Sequence, residues 1–347
     1  MLVPFTVAAA PAIHVTAPLA TPRAPPLRHP SVRCTASTKL PALKAAVIVP
    51  GFLSDESDFY ELPEALSADG IATAVVPMKL WHWIPILGGR SVRPLLDRIA
   101  LAVEHVAALG PAAEVGPAPV RLCVPTPEYS ALDCWNDFTA NPGGVLKAGG
   151  TDQPDEYPDV EPAGTFPRAP PPKGSVALIG HSAGGYAARI FLSDRAYGGR
   201  AYGGRQLVHS LVTLGTPHVA GAGVPFYSVA WANREEPGVR TLAVGATGTP
   251  GATSGELTKG AYSFCEPSGT GGEALDGDGV TTTASATTLA GAETLVLDGT
   301  THYPWTAPGP VADVVAPELT KAYREGKPWY GSEGPRSEWV KWLKEGL

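Results

Sequence analysis

The chain has 347 residues, 44% of them apolar and 17% charged, with a formal charge of -7 at pH 7. That length accommodates one large domain with a substantial core or two smaller ones, and the composition suits a soluble enzyme. An acidic balance without a concentrated basic patch excludes nucleic acid as the expected partner. The 40 glycines and 37 prolines point to long loops.

Residues 1–38 contain Arg23, Arg28 and Arg33, no acidic residue, and many Ala, Pro, Ser and Thr. The segment resembles a plastid transit peptide with processing near Val32, Arg33 and Cys34, against the alternative of a disordered cytosolic tail. It lacks the compact basic start and continuous apolar core of a secretory signal. Pro11, Pro18, Pro22, Pro25 and Pro26 argue against a membrane-spanning helix. The expected division is a leader at 1–38 and a catalytic domain at 39–347. Four cysteines, Cys34, Cys123, Cys134 and Cys265, follow no metal-ligand spacing and suit reduced thiols, with a redox-sensitive Cys123–Cys134 pair as the weaker alternative.

Residues 45–49 read as a buried strand running into Pro50, Gly51, Phe52 and Leu53, a glycine loop able to set a backbone N–H beside an anionic oxygen. A short helix over 59–66 follows, with Pro63 in its first turn, and then a strand over 71–76. Strand, helix and strand in succession predict a largely parallel α/β sheet. Trp81, His82 and Trp83 open an apolar loop that either lines an acyl or isoprenoid pocket or anchors itself in the core. A helix is expected over 92–108. The irregular stretch 111–173, rich in Pro and Gly, reads as a lid or as a static cover over the sheet edge.

Residues 177–185 spell a short apolar strand, a sharp turn and a helix start. Gly180, Ser182 and Gly184 fit G-x-S-x-G, in which small neighbours let a crowded backbone present the serine hydroxyl. Ser182 is the candidate nucleophile. The helix after it ends near Ser193 and Asp194, before Ala-Tyr-Gly-Gly-Arg occurs twice over 196–205; this reads as a flexible loop whose two arginines could meet an anionic head group. Strands are expected over 207–214 and 239–244. Between them Phe226, Tyr227, Val229 and Trp231 form a substrate wall or pack the core. His218 is a poor candidate base because a later histidine suits the chain order better.

Near the C-terminus an acid-rich turn holds Asp276 and Asp278, a strand is expected over 293–297, and His302 follows Asp298. An acid after a late strand and a histidine after the last one are the placements that meet above a parallel sheet. Helices are expected over 311–321 and 337–343. No H-E-x-x-H motif occurs, and no G-x-G-x-x-G follows the first strand, so neither metal nor organic cofactor is expected.

The Pro50-Gly51-Phe52 loop, the Gly-His-Ser-Ala-Gly-Gly elbow, the segment from Leu214 to His218 and the late Asp-Gly-Val and His resemble the α/β-hydrolase superfamily. More narrowly, the chain resembles lipase-like or esterase-like proteins of plant plastids, from about residue 45 onward. The resemblance implies a mostly parallel central sheet with flanking helices and a cover or lid insertion. It makes Ser182 the nucleophile, His302 its base and Asp278 the orienting acid in preference to Asp276 and Asp298. It gives the oxyanion donors as the N–H groups of Phe52 and Ala183, with Leu53 as a fallback. Leu53, Trp81, Trp83 and Phe226 are the candidate substrate contacts. The implied activity is hydrolysis of a hydrophobic or lipid-like ester in the plastid, in the stroma or with peripheral membrane contact. The alternatives are thioester hydrolysis, acyl transfer, and a non-catalytic receptor on the same scaffold.

Overall fold

The computed structural model describes residues 45–52, 54–83, 92–109, 176–219, 221, 227–303 and 317–345. The expected leader at 1–38, the expected cover at 111–173, Leu53, Phe226, Cys34, Cys123 and Cys134 lie outside the described residues.

Runs of Ala, Val, Ile and Leu without a polar alternation form strands that must be covered on both faces. Six of them make one parallel sheet in the order β2-β1-β3-β4-β5-β6. They are β1 (Ala45–Val49), β2 (Ala72–Val75), β3 (Val176–His181), β4 (Val208–Leu214), β5 (Arg240–Thr247) and β6 (Glu293–Asp298). Because successive side chains point to opposite faces, Val47, Val49, Ala74 and Leu178 enter one core, while Ile48, Val75, Ile179 and Val244 enter the other. Helices α1 (Glu61–Ala68) and α8 (Glu333–Glu345) cover the second face through Leu62, Leu66, Trp339 and Leu343. The first face is covered by α2 (Arg93–Leu109) and α3 (Ala183–Leu192). The fold is therefore α/β with helices on both sides of a parallel sheet, as the sequence predicts.

The strand order places the site. From β1 the chain crosses to β2 on one side; from β3 it crosses to β4 on the other. The direction of winding reverses between β1 and β3, and the carboxyl ends of the strands flanking such a reversal leave a crevice where ligands bind in open α/β sheets. The Gly51 loop follows β1 and Ser182 follows β3, so both lie at that reversal.

The other described α-helices are α4 (Tyr227–Ala232), α5 (Glu256–Phe264), α6 (Thr283–Thr287) and α7 (Pro317–Arg324). The sequence reading differs from the structure at helix ends. The helix expected over 59–66 is a 3-10 turn, Glu56–Phe59, followed by α1. Asp55 caps it by accepting from Ser57 N, while Asp58 accepts from Asp55 N, a reciprocal capping arrangement written in the sequence as Asp-x-x-Asp. Helices α4, α5 and α6 were not expected. Val229 and Trp231 are buried in the core of the α2 and α3 face, so α4 packs the core instead of forming a substrate wall.

The doubled Ala-Tyr-Gly-Gly-Arg segment is a strap, not a free loop. Tyr197 is buried, and its hydroxyl accepts from Val92 N at 3.2 Å while its ring meets Trp231 edge-on. Tyr202 and Arg200 both donate to Asp97 Oδ1, at 2.7 and 2.8 Å. Arg205 pairs with Glu235 at 3.2 Å and with Asp194 at 3.3 Å. Both arginines expected to meet an anionic head group are engaged within the fold.

Candidate active site

Ser182 is the only non-glycine residue among those described with a positive φ, 51°, paired with ψ of -129°. An L-residue held there stores of order 1–3 kcal/mol of strain, which persists only where the surroundings fix it. The surroundings do. Ser182 N donates to Leu214 O at 2.8 Å, and Thr216 Oγ1 donates to Ser182 O at 2.8 Å. A Cβ on Gly184 would strike the carbonyl oxygens of Val49 and Pro50, and one on Gly51 would lie 2.7 Å from the Ser182 Cβ. The glycines of the motif thus let β1, β3 and the start of α3 meet at van der Waals contact.

Two N–H groups sit at this junction. Ala183 is the first residue of α3, where the amide has no carbonyl partner within the helix. The second is on Phe52, next in the chain to Gly51, which packs against the serine and whose carbonyl accepts from Ser54 N at 3.1 Å. The Phe52 ring meets Trp83 edge-on with centroids 5.8 Å apart. Trp83 is fully buried in the core, so of the two tryptophans proposed as substrate contacts it serves as an anchor, whereas Trp81 is half-buried.

Asp278 and His302, distant in sequence, are brought together. His302 Nδ1 lies 2.7 Å from Asp278 Oδ2, and His302 N donates to Asp278 O at 3.1 Å, so backbone and ring are registered at once. With Nδ1 donating to the carboxylate, the lone pair is on Nε2. Asp278 Oδ1 accepts from Val280 N at 2.9 Å and Thr281 N at 2.7 Å, and Oδ2 also accepts from the Tyr330 hydroxyl at 2.8 Å. Burial pushes the Asp278 carboxyl up, but the His302 charge and the hydrogen bonds of His302, Thr281 and Val280 outweigh it and hold the carboxyl below its ordinary range. Gly215, with φ of 57°, makes the room: a Cβ there would lie 2.6 Å from Asp278 Oδ2 and 3.0 Å from His302 Nδ1.

The other two acids near the C-terminus have different partners. Asp276 receives the N–H groups of Gly248, Thr249 and Gly277, and Asp298 receives the Thr247 hydroxyl. His218 is buried with both ring nitrogens occupied, Nδ1 by Arg189 and Nε2 by Thr213. Burial, aided by Arg189, drives its pKa well below the usual imidazole range.

His181, inside the motif, ties the serine turn to the histidine loop. Its Nε2 donates to His302 O at 2.7 Å, and the two rings lie 4.8 Å apart. Burial chiefly, then the neighbouring His302, lowers its pKa to about 3, so it stays neutral. The sequence places His181 as a supporting residue of the elbow, as found, but the role of Tyr330 was missed. A histidine preceding the serine was visible; its carbonyl partner 121 residues away was not.

Among the described residues no group of His, Cys, Asp and Glu could hold a metal ion, and no helix is long and apolar enough to cross a membrane. Cys265 is a buried free thiol, pushed up to about 11 by burial. No protein-family model and no curated protein matches the chain. Among solved structures the chain is similar to RedJ, described as having a PEG molecule bound in its active site, with 16% identity and a TM-score of 0.32 over 88% of this chain and 95% of that one.

Proposed function

We propose that the chain is a serine carboxylic-ester hydrolase of the α/β-hydrolase type, with Ser182 as nucleophile, His302 as general base and Asp278 as orienting acid. The observation that carries this reading is a strained serine at the winding reversal of the sheet, whose neighbour His181 is hydrogen-bonded to the backbone of an Asp–His pair itself fixed at 2.7 Å. In the proposed reaction His302 Nε2 takes the Ser182 proton as Oγ forms a bond to the ester carbonyl carbon. The C=O electron pair moves onto oxygen, where the N–H groups of Ala183 and Phe52 receive it. When the tetrahedral intermediate collapses, the C–O bond to the alcohol breaks and the imidazolium returns the proton to it. Water then attacks the acyl-enzyme with the same assistance, releasing the acid and restoring the serine.

Phe52 in the proposed oxyanion loop, together with the half-buried Trp81, favours an apolar acyl group, hence a hydrophobic or lipid-like ester. The arginine-bearing, acid-free leader favours import into plastids. Fusion of residues 1–38 to a fluorescent protein tests that placement directly; a signal that stays cytosolic removes it.

The activity itself is tested on a chain starting at residue 39, alongside Ser182→Ala. Release of acid from short aryl esters and from plastid lipids is followed by mass spectrometry, with and without a competing alcohol. Ser182→Ala should lose at least about a thousandfold in kcat/KM, and a fluorophosphonate should label Ser182 alone. Transfer to the alcohol in preference to water would change the reading to an acyltransferase. Unchanged turnover in the folded variant, or no labelling, would sink the serine mechanism.

A further inference from the structure

Among the described residues the Asp278 carboxylate has four donors. Val280 N and Thr281 N hold Oδ1, while His302 Nδ1 and the Tyr330 hydroxyl share Oδ2 at 2.7 and 2.8 Å. Tyr330 is fully buried and lies between α7 and α8. Its backbone is fixed from the far side, because Trp339 Nε1 donates to Tyr330 O at 2.9 Å. The adjacent Trp329 bridges Thr301, and Thr301 N donates to Pro328 O at 2.8 Å, which binds this segment to the His302 loop. The phenol is therefore delivered to Oδ2 by the same pieces of backbone that deliver His302.

Two donors on one carboxylate oxygen compete for its charge. Each draws electron density that the other would otherwise use, so the phenol reduces the attraction between Oδ2 and a protonated imidazole. From this geometry we infer that Tyr330 is a positioning residue that weakens the Asp278–His302 pair and so governs how readily His302 serves as the base. The inference rests on the hydrolase reading.

The other groups around the pair do not duplicate this role. His181 stays neutral, with its pKa lowered to about 3. The Tyr262 hydroxyl is spent between Thr249 O and Gly279 N, and Asp276 is occupied by three backbone N–H groups. Cys265 points its thiol at Val280 O, and the Tyr303 ring stands edge-on to His302 at 5.1 Å with its hydroxyl pushed up to about 12. Of the described groups facing the pair, only Tyr330 joins His302 in donating to the shared oxygen.

The test compares Tyr330→Phe with a protein carrying ring-fluorinated tyrosine at position 330, which keeps the shape but has a more acidic, stronger-donating hydroxyl. The acid limb of kcat/KM against pH reads protonation of the free enzyme's base. Tyr330→Phe should move that limb up by roughly 0.5–1 pH unit, and the fluorinated phenol should move it down. Proton NMR in the Ser182→Ala background supplies a readout without turnover: the His302 Nδ1–H signal should shift further downfield with Tyr330→Phe and upfield with fluorination. A packing role alone would lower stability while leaving both limb and signal in place, and that result would overturn the inference. If Tyr330→Phe does not fold, the fluorinated protein decides by the same criteria. Loss of the hydrolase reading would show separately as turnover indifferent to Ser182→Ala; the NMR shift would still decide whether Tyr330 tunes the pair.

Discussion

Ser182 combines chemistry and strain in one residue, and the two can be separated. At φ 51° a Cβ is disfavoured whatever the side chain carries, so Ser182→Ala keeps the strain and Ser182→Gly relieves it. Ser182→Gly should be more stable than Ser182→Ala by about 1 kcal/mol in urea unfolding, although both lack the hydroxyl. Equal stabilities would mean that the turn is not strained in solution. The buried histidines set a second residue-level expectation. His181 and His218 are neutral in the folded state because burial lowers their pKa values, whereas unfolded imidazoles titrate near 6.5. Below that pH the unfolded chain binds more protons than the folded one, so stability must fall on acidification, by up to about 1.4 kcal/mol per pH unit for each such histidine. The loss runs from 6.5 down to about 3 for His181. Asp278, with a depressed carboxyl, adds its own loss once the pH falls below the ordinary carboxylate value of 3.8. Replacing His218 by Gln should cost stability at pH 7 yet make the decline between pH 6.5 and 4.5 shallower. An unchanged slope would show that His218 does not contribute to it.

At the scale of elements, what could be read from sequence depended on how local the cause is. The strands were legible because apolar runs bounded by turn residues need no partner to be recognised; β1 falls on residues 45–49 as expected. The G-x-S-x-G turn was legible for the same reason. The strap was misread because its meaning lies in Asp97, 103 residues before Arg200, and nothing in Ala-Tyr-Gly-Gly-Arg announces that partner. Tyr330 escaped notice similarly, since its single decisive contact is 52 residues away. The Asp97 side chain is a quarter exposed and that of Arg200 a third, so water screens their pairing. A double-mutant cycle on Asp97 and Arg200 should return a coupling of about 0.5–1 kcal/mol. Asp97→Ala alone should cost more, roughly 1–2 kcal/mol, because it also strands the half-buried Tyr202 hydroxyl. A coupling of zero would return the repeat to the loose loop that its sequence suggests.

For the whole molecule, the sheet divides the apolar interior into two cores, and the second is completed only by the last part of the chain. Trp339, Val340 and Leu343 of α8 pack on the face formed by Ile48, Ile179, Val212 and Val244, and Arg240 stacks on Trp342 with its guanidinium 3.6 Å from the ring centre. The C-terminal helix is therefore part of the core although it follows the last strand. Trp339→Ala should cost about 3–5 kcal/mol through the cavity it opens, a large share of the 5–15 kcal/mol typical of a domain. It also removes the indole donor to Tyr330 O, so the damage should reach the proposed site by a defined route: the phenol is released, and the acid limb of kcat/KM moves in the same direction as with Tyr330→Phe. Trp339→Phe fills most of the cavity but lacks the donor, and should displace the limb at a smaller cost in stability. If both variants lose stability while the limb stays fixed, packing of α8 and tuning of the Asp278–His302 pair are independent, and the hydrogen bond from Trp339 serves the core alone.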